Sequence, residues 1–406
     1  MMTKRIWMVH PTDALPGENG YKHGINLIEE LDKKGYEVTW WTSSFSHTLK
    51  KQRVEKFSDI PYKSRSRILL IPTSEYKKHI GFKRIFQSVN FYMNWYKLAS
   101  RKKSPEILIK SSPDLFGDFF VLKFLKRRKL KLVIDFRDLW PEVFISVLPN
   151  FLQKFEKIIF WPFYQIRKRF FSRSDGIISV SKDYDVLAKK ISPSLINKPS
   201  AISYHCNLSI EEKVSLETLM KKDYSGELKI IYAGNLGKNY DMLTVLKAMQ
   251  KITENEFPIS FIIAGSGPYE NQVKKAELNS NGNIKYLGML NMKELTSLYS
   301  MSHLALAPYS KNSTVSMPAK AYELMFNGLP VITSLGREYG EIVKREAIGF
   351  FYEASSVNSL TKVLSDILIN RKKLKEMSIK SLSLAEKYNV DDQIEKYDEV
   401  LKKILI

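Results

Sequence analysis

KIIYAGNLGK, residues 229–238, is a continuous apolar run that ends in a glycine turn and a lysine. An unbroken run of this kind is expected of a parallel strand covered on both faces, where an antiparallel strand with one wet face would alternate. ISFIIAGSGP, residues 259–268, repeats the arrangement. Working outward, the second half continues with strands expected at 284–287, 304–308, 330–333 and 350–352. The first half reads the same way, at 5–10, 37–42, 68–71, 107–109, 131–135 and 176–180. Helical stretches separate them, among them 21–34, stopped by Gly35, and 242–253, with Asp241 placed to cap its start. Repeated strand–helix units predict two doubly wound α/β domains, residues 1–207 and 208–389, whose ligands bind beyond the carboxyl ends of the strands in a shared cleft. The tail, 390–406, has apolar residues at helical spacing and is expected to pack back on the first domain.

Composition narrows the function classes. The 406 residues hold 18 Gly, 16 Pro and one cysteine, Cys206, so collagen-like, low-complexity and disulfide-stapled designs are excluded. A single thiol also excludes a cysteine-based zinc site, and it suits a reducing compartment. The longest strongly apolar stretch, IIFWPFYQI at 158–166, is about half of the roughly 20 residues a spanning helix needs. The chain carries a formal charge of +21, and residues 1–200 hold 38 basic against 19 acidic side chains, while 201–406 are nearly balanced at 26 and 24. A field so lopsided suggests that the first domain faces something polyanionic.

Three segments have the chemistry to hold a phosphorylated ligand. In Gly234–Asn235–Leu236–Gly237–Lys238, glycines let backbone N–H groups approach an anion, a following helix start adds positive potential, and Lys238 adds a full charge. Neither GxGxxG nor the P-loop spacing is present. Gly265, Ser266 and Gly267 form a second such turn, with Pro268 suited to the first turn of the next helix. In MPAKAYELMFNGLPVI, residues 317–332, Pro318 fits a helix start and Gly328 its end. Lys320 and Glu323 then share a face, the lysine for phosphate and the carboxylate for two ribose hydroxyls.

Together with DFRDLWPE (135–142) and DGIISVS (175–181), these segments resemble, in order and over nearly the whole chain, the family 4 glycosyltransferases of GT-B fold, and within them the enzymes of bacterial O-antigen and capsule synthesis. The resemblance implies a retaining transfer from a nucleoside diphosphate sugar, uridine by family frequency, to a lipid-linked glycan, with a hexosyl or N-acetylhexosaminyl group moved and no metal or other cofactor. It implies that Glu323 binds ribose, that Pro318 and Lys320 match the polysaccharide branch, and that Gly17 and Gly20 form a loop closing over the donor. Val315 stands where the family has another glutamate, and Asn235 where it has an arginine, which moves weight onto Lys238 and Lys320. Arg137 replaces a common histidine and Asp138 is the nearest candidate acid or base. The aromatic, cationic segment 150–174, with 76–103 and 126–131, fits the headgroup region of an anionic membrane, so the expected location is cytoplasmic and peripheral. Two alternatives remain open at this point, a nucleotide-sugar 2-epimerase on the same fold and a basic nucleic-acid-binding protein; no RNA-recognition signature supports the latter, and nucleic acid is not the expected partner.

Overall fold

The computed structural model describes residues 4–406 apart from 19, 77–81, 115, 127, 209–212 and 254–257. The chain divides into two units, residues 1–207 with 390–406, and residues 208–389.

The first unit is built on one sheet of β1 (Arg5–Val9), β2 (Glu37–Ser43), β3 (Ser58–Tyr62), β4 (Ser66–Ile71), β5 (Ile107–Ser112), β6 (Lys131–Phe136), β7 (Gly176–Ser179) and β8 (Ser200–Ile202). Their order across the sheet is β8-β7-β6-β5-β1-β2-β4-β3, parallel except for the edge strand β3, which runs antiparallel to β4. Both faces are covered. Trp7 and Val9 of β1 pack with Trp95 and Phe124 on one side, whereas Ile6 and Met8 pack with Leu27, Leu31 and Tyr397 on the other. That double burial is why β1 reads as a solid apolar run. The closing helix Val390–Leu405 buries Ile394, Tyr397, Val400, Leu401 and Ile404 in the second of these layers. At about 1.5–3 kcal/mol for each large apolar side chain fully buried, this helix is an integral part of the unit.

The second unit holds β9 (Leu228–Ala233), β10 (Ile259–Ala264), β11 (Ile284–Tyr286), β12 (Leu304–Ala307), β13 (Val331–Thr333) and β14 (Gly349–Phe351), all parallel, in the order β11-β10-β9-β12-β13-β14. Chain direction across the sheet reverses between β9 and β12. That reversal is the topological switch point, beyond whose strand ends such sheets take ligands.

Local details depart from the sequence reading. The helix after Lys238 starts only at Met242, and the Asp241 carboxylate accepts from Ser355 N–H at 2.7 Å and Tyr352 Oη at 3.3 Å. Pro268 lies ahead of the helix Glu270–Leu278 and Pro318 caps Ala319–Phe326 from outside its first turn. The segment 150–174 is three helices, Asn150–Gln153, Glu156–Ile159 and Trp161–Arg173. Among the described residues no helix is long and apolar enough to cross a membrane.

Candidate functional site

In the second unit the two glycine turns are joined along their backbones. Gly234 N–H donates to Ala264 O at 3.0 Å, and Leu236 N–H to Ser266 O at 2.9 Å. Gly265 (φ 131°) would put a Cβ 1.8 Å from Gly234 O, and Gly267 (φ 154°) one 2.6 Å from Leu236 O. These glycines are required by the approach of one turn to the other, a reason distinct from closeness to an anion. The pairing also occupies the N–H groups of Gly234 and Leu236; among the described residues those of Asn235 and Gly237 have no backbone partner, and Gly237 is buried. Asn235 and Lys238 are exposed.

Lys238 does not sit on a helix start, because residues 239–241 first cross to the loop after β12. Asp241 N–H donates to Pro308 O, Ser310 N–H donates to Asn239 O, and Tyr240 pairs with Tyr309. The two loops bordering the switch point are therefore held together, and the loop after β12 leads into the helix Ala319–Phe326.

On that helix Lys320 Nζ donates to Glu323 Oε2 at 2.7 Å, and both reach Tyr299. Lys320 Nζ donates to Tyr299 Oη at 3.1 Å, which in turn donates to Glu323 Oε1 at 2.8 Å. Tyr299 is 2% exposed, and burial together with the Glu323 carboxylate pushes its hydroxyl far above its ordinary range, so it stays a donor. The Lys320 and Glu323 side chains are about a quarter exposed, at 24% and 23%. Each carboxylate oxygen keeps a lone pair for a further donor. Tyr299 was not singled out from the sequence; its only signal there is its place four residues after Leu295 on a helix face.

In the first unit Arg137 is held by three partners at the carboxyl ends of β1 and β6. Its Nε donates to Asp135 Oδ2 at 2.6 Å, its Nη1 to Asp13 at 2.8 and 3.0 Å, and its Nη2 lies 2.7 Å from His10 Nδ1. The side chain is 11% exposed, so the cation expected to face a ligand is already engaged inward. His23 and His205 complete the cluster. Their rings stack at 4.1 Å, His23 Nε2 is 3.0 Å from Tyr397 Oη, and His205 Nε2 is 3.5 Å from Asp135 Oδ1. The ligating atoms of His23, Asp135 and His205 lie within 4.8 Å of one another. A cation there would meet the Arg137 guanidinium on the same carboxylate, so the cluster reads as a proton-sharing network around Arg137. Positions 10, 13, 23, 135 and 205 meet through topology alone, with His205 fixed where Ser203 and Tyr204 bond Gln393 of the closing helix.

Burial lowers the pKa of all three histidines below the ordinary value of about 6.5. The unfolded chain therefore binds protons first as pH falls, and stability is expected to drop once pH passes below about 6.5. Asp13 and Asp135 are held below their usual range by Arg137 against the cost of burial, which adds a second loss at more acid pH. Urea midpoints should hold from pH 7.5 to about 6.5 and fall from there to pH 5, and a profile flat down to pH 5 would contradict the assignment.

Asp138 is exposed and makes no hydrogen bond among the described residues. Enough protein surrounds it that desolvation raises its carboxyl, against the pull of Arg84 and Arg137. It borders a pocket with Trp140, Arg84 and Asp114. Gly17 (φ 84°) and Gly20 (φ 136°) are exposed on a loop pinned by the Glu18–Arg53 ion pair, and a Cβ at Gly20 would lie 2.9 Å from Thr48 Oγ1.

Residues 220–382, most of the second unit, match the family model of glycosyl transferases group 1. The chain is similar to an uncharacterized glycosyltransferase of Haemophilus influenzae, 26% identical over 193 residues, covering 45% of this chain and 52% of that one. It thus spans about half the length of that relative. It is also similar to the chitobiosyldiphosphodolichol beta-mannosyltransferase of Debaryomyces hansenii, 22% identical over 348 residues, 76% and 71% of the two chains. Among solved structures it resembles sucrose-phosphate synthase of Thermosynechococcus elongatus (13% identical, 99% of both chains, TM-score 0.74). It also resembles WaaG, a glycosyltransferase involved in lipopolysaccharide biosynthesis (12%, 97% and 99%, 0.67), and Anabaena Alr3699/HepE in complex with UDP and glucose (12%, 98% and 99%, 0.63). The fold is GT-B, with its two parallel sheets.

Proposed function

We propose that the protein is a retaining glycosyltransferase that moves a hexosyl or N-acetylhexosaminyl group from a uridine diphosphate sugar to a lipid-linked glycan during synthesis of a bacterial surface polysaccharide. The observation that carries this reading is the Lys320–Tyr299–Glu323 group, partly open to solvent beside the switch-point loops. Glu323 binds the ribose hydroxyls through its remaining lone pairs. Lys320, Lys238 and the N–H groups of Asn235 and Gly237 meet the diphosphate. As the anomeric C–O bond breaks, negative charge grows on the leaving phosphate, and cations already in position lower that barrier. The acceptor oxygen bonds to the anomeric carbon on the same face, and its proton passes to the departing phosphate.

Support for the donor comes from the family match of the second unit and from the likeness to a structure holding UDP and glucose. A relative whose name specifies a diphosphodolichol substrate supports a lipid-linked acceptor, and the likeness to WaaG supports the polysaccharide setting. Incubation with a panel of nucleoside diphosphate sugars and lipid-linked glycan should release UDP only when both are present. Conversion of the donor alone would instead indicate an epimerase.

Membrane contact belongs to the same reading. Phe151, Phe155, Ile158, Ile159 and Trp161 are exposed, interleaved with exposed Lys154 and Lys157. By contrast Phe160, Phe170 and Phe171 are core, and Arg167 is buried in a two-pronged pair with Glu142, so these do not reach lipid. Lys168 and Arg169 are exposed beside the patch. Their joint replacement by Glu should cut partitioning onto anionic vesicles about tenfold or more, at roughly 1 kcal/mol per basic residue lost and a charge reversal besides. Equal partitioning of variant and parent would remove the membrane surface from the account.

A further inference from the structure

The side chains proposed to grip the donor stand on two helices, Tyr299 in the last turn of Met292–Met301 and Lys320 with Glu323 on Ala319–Phe326. Tyr299 Oη, bonded to Glu323 at 2.8 Å and to Lys320 at 3.1 Å, joins one helix to the other. One short segment, residues 214–222, ties down the carboxyl ends of both. Val214 N–H donates to Phe326 O at 2.9 Å, and Leu219 packs so closely on Gly328, just past that helix, that a Cβ there would run into it. At the other helix Lys222 Nζ donates to Ser302 O at 2.7 Å and to Tyr299 O at 3.3 Å. The residue that bridges Lys320 and Glu323 through its hydroxyl is thus held through its main chain by Lys222.

A cation among the last carbonyls of a helix is favoured by the helix dipole, the more so when partly buried. Burial of Lys222 lowers its ammonium to about 8. Its titratable surroundings are His303, Tyr224, Lys229 and Asp223, the last exposed and bonded to Ser225. Burial and the Lys222 charge hold His303 below about 6.5, and burial holds Tyr224 above 10, so neither changes charge where Lys222 does. We infer that Lys222 is a positioning residue for the donor: its ammonium fixes the last turn of the helix Met292–Met301 and so sets the Tyr299 hydroxyl where Lys320 and Glu323 converge on it. The inference rests on the reading that this group grips the nucleotide, and adds what keeps the group in shape. A preset group binds with little ordering cost; once the clasp is loosened the competent arrangement is a fraction of the ensemble, and apparent affinity falls by that fraction. A neutral amine still donates hydrogen bonds but no longer answers the dipole, so affinity follows the charge.

Titration calorimetry of UDP at pH 7, 8 and 9 into the parent, Lys222→Met and Lys222→Arg tests this, with Tm recorded for each. The parental Kd should rise about threefold or more between pH 7 and 9. Lys222→Met should bind at pH 7 as weakly as the parent does at pH 9 and change no further. Lys222→Arg stays charged throughout and should keep the parental pH 7 value at every pH, whereas titration of any other group would persist in it. By linkage the parent should take up protons on binding UDP at pH 8, read as a binding heat that varies with the buffer, and Lys222→Arg should not. A parental Kd flat from pH 7 to 9, a rise shared by Lys222→Arg, or a Lys222→Met variant that loses Tm but no affinity overturns the inference. Should Lys222→Met fail to fold, the parent and Lys222→Arg profiles decide by themselves. Glu323→Gln titrated alongside at pH 7 tests the donor reading separately. UDP bound equally by that variant and the parent overturns both readings, while weakened binding by it beside a flat parental profile overturns only the role of Lys222.

Discussion

Replacing Lys320 by methionine is expected to lower kcat about a hundred- to a thousandfold while leaving the thermal transition within a few degrees of the parent. The activity loss follows from removing a cation aimed at the phosphate on which charge develops; one such preorganised donor is worth about that much. The small stability effect follows from the geometry. The Lys320–Glu323 pair is three residues apart on one helix and a quarter exposed, a setting worth about 0.2–0.5 kcal/mol. Tyr299 keeps its bond to Glu323 in the variant, so the carboxylate stays oriented and the Kd for UDP should move less than kcat. Steady-state kinetics with saturating acceptor separate the two effects. A variant retaining more than a third of parental kcat would show that the charge on the leaving group is met elsewhere.

The second large effect concerns stability. Arg137→Met removes the one guanidinium that compensates Asp13 and Asp135, which are 1% and 0% exposed. Breaking a buried pair by deleting one partner typically costs about 3–5 kcal/mol, since the charge left behind stays desolvated. With two carboxylates stranded, the upper end applies, and for a unit of this size that is about 10–20 °C in Tm. The deficit should shrink as pH falls. Arg137 is among the groups that lower the pKa of His10, His23 and His205, so its loss lets an imidazole take up the proton that the carboxylates then need. Calorimetry should resolve the change in the transition of the first unit, because each unit has its own core. A Tm within 3 °C of the parent at pH 7.5 would mean that the carboxylates are already protonated.

Most of the fold was legible because buried parallel strands write themselves as apolar runs. LKIIYA at 228–233 and ISFIIA at 259–264 could hardly be anything else, and their ends fell within a residue or two of expectation. The edge strand Ser58–Tyr62 was not read, because SDIPY is mostly exposed and has neither an apolar run nor alternation. Pro61 argues against a central strand and is tolerated at this edge. Ser200–Ile202 escaped notice for its brevity.

The candidate site was only half legible. Lys320 and Glu323 share a helix, so their spacing alone joins them. Tyr299, 21 residues before Lys320, is brought in by packing, and the histidines around Arg137 come from positions almost 200 residues apart. Spacing has no purchase on such contacts. Gly265 and Gly267 also answer to the close approach of the neighbouring turn, a contact that spacing does not show.

The central claim is that the Glu323 carboxylate grips the ribose of a uridine nucleotide. Titration calorimetry of UDP into the parent and into Glu323→Gln tests it most directly. The account predicts a Kd raised at least tenfold, the cost of losing a hydrogen bond to a charged group, with Tm nearly unchanged. Equal Kd values for the two proteins would contradict it.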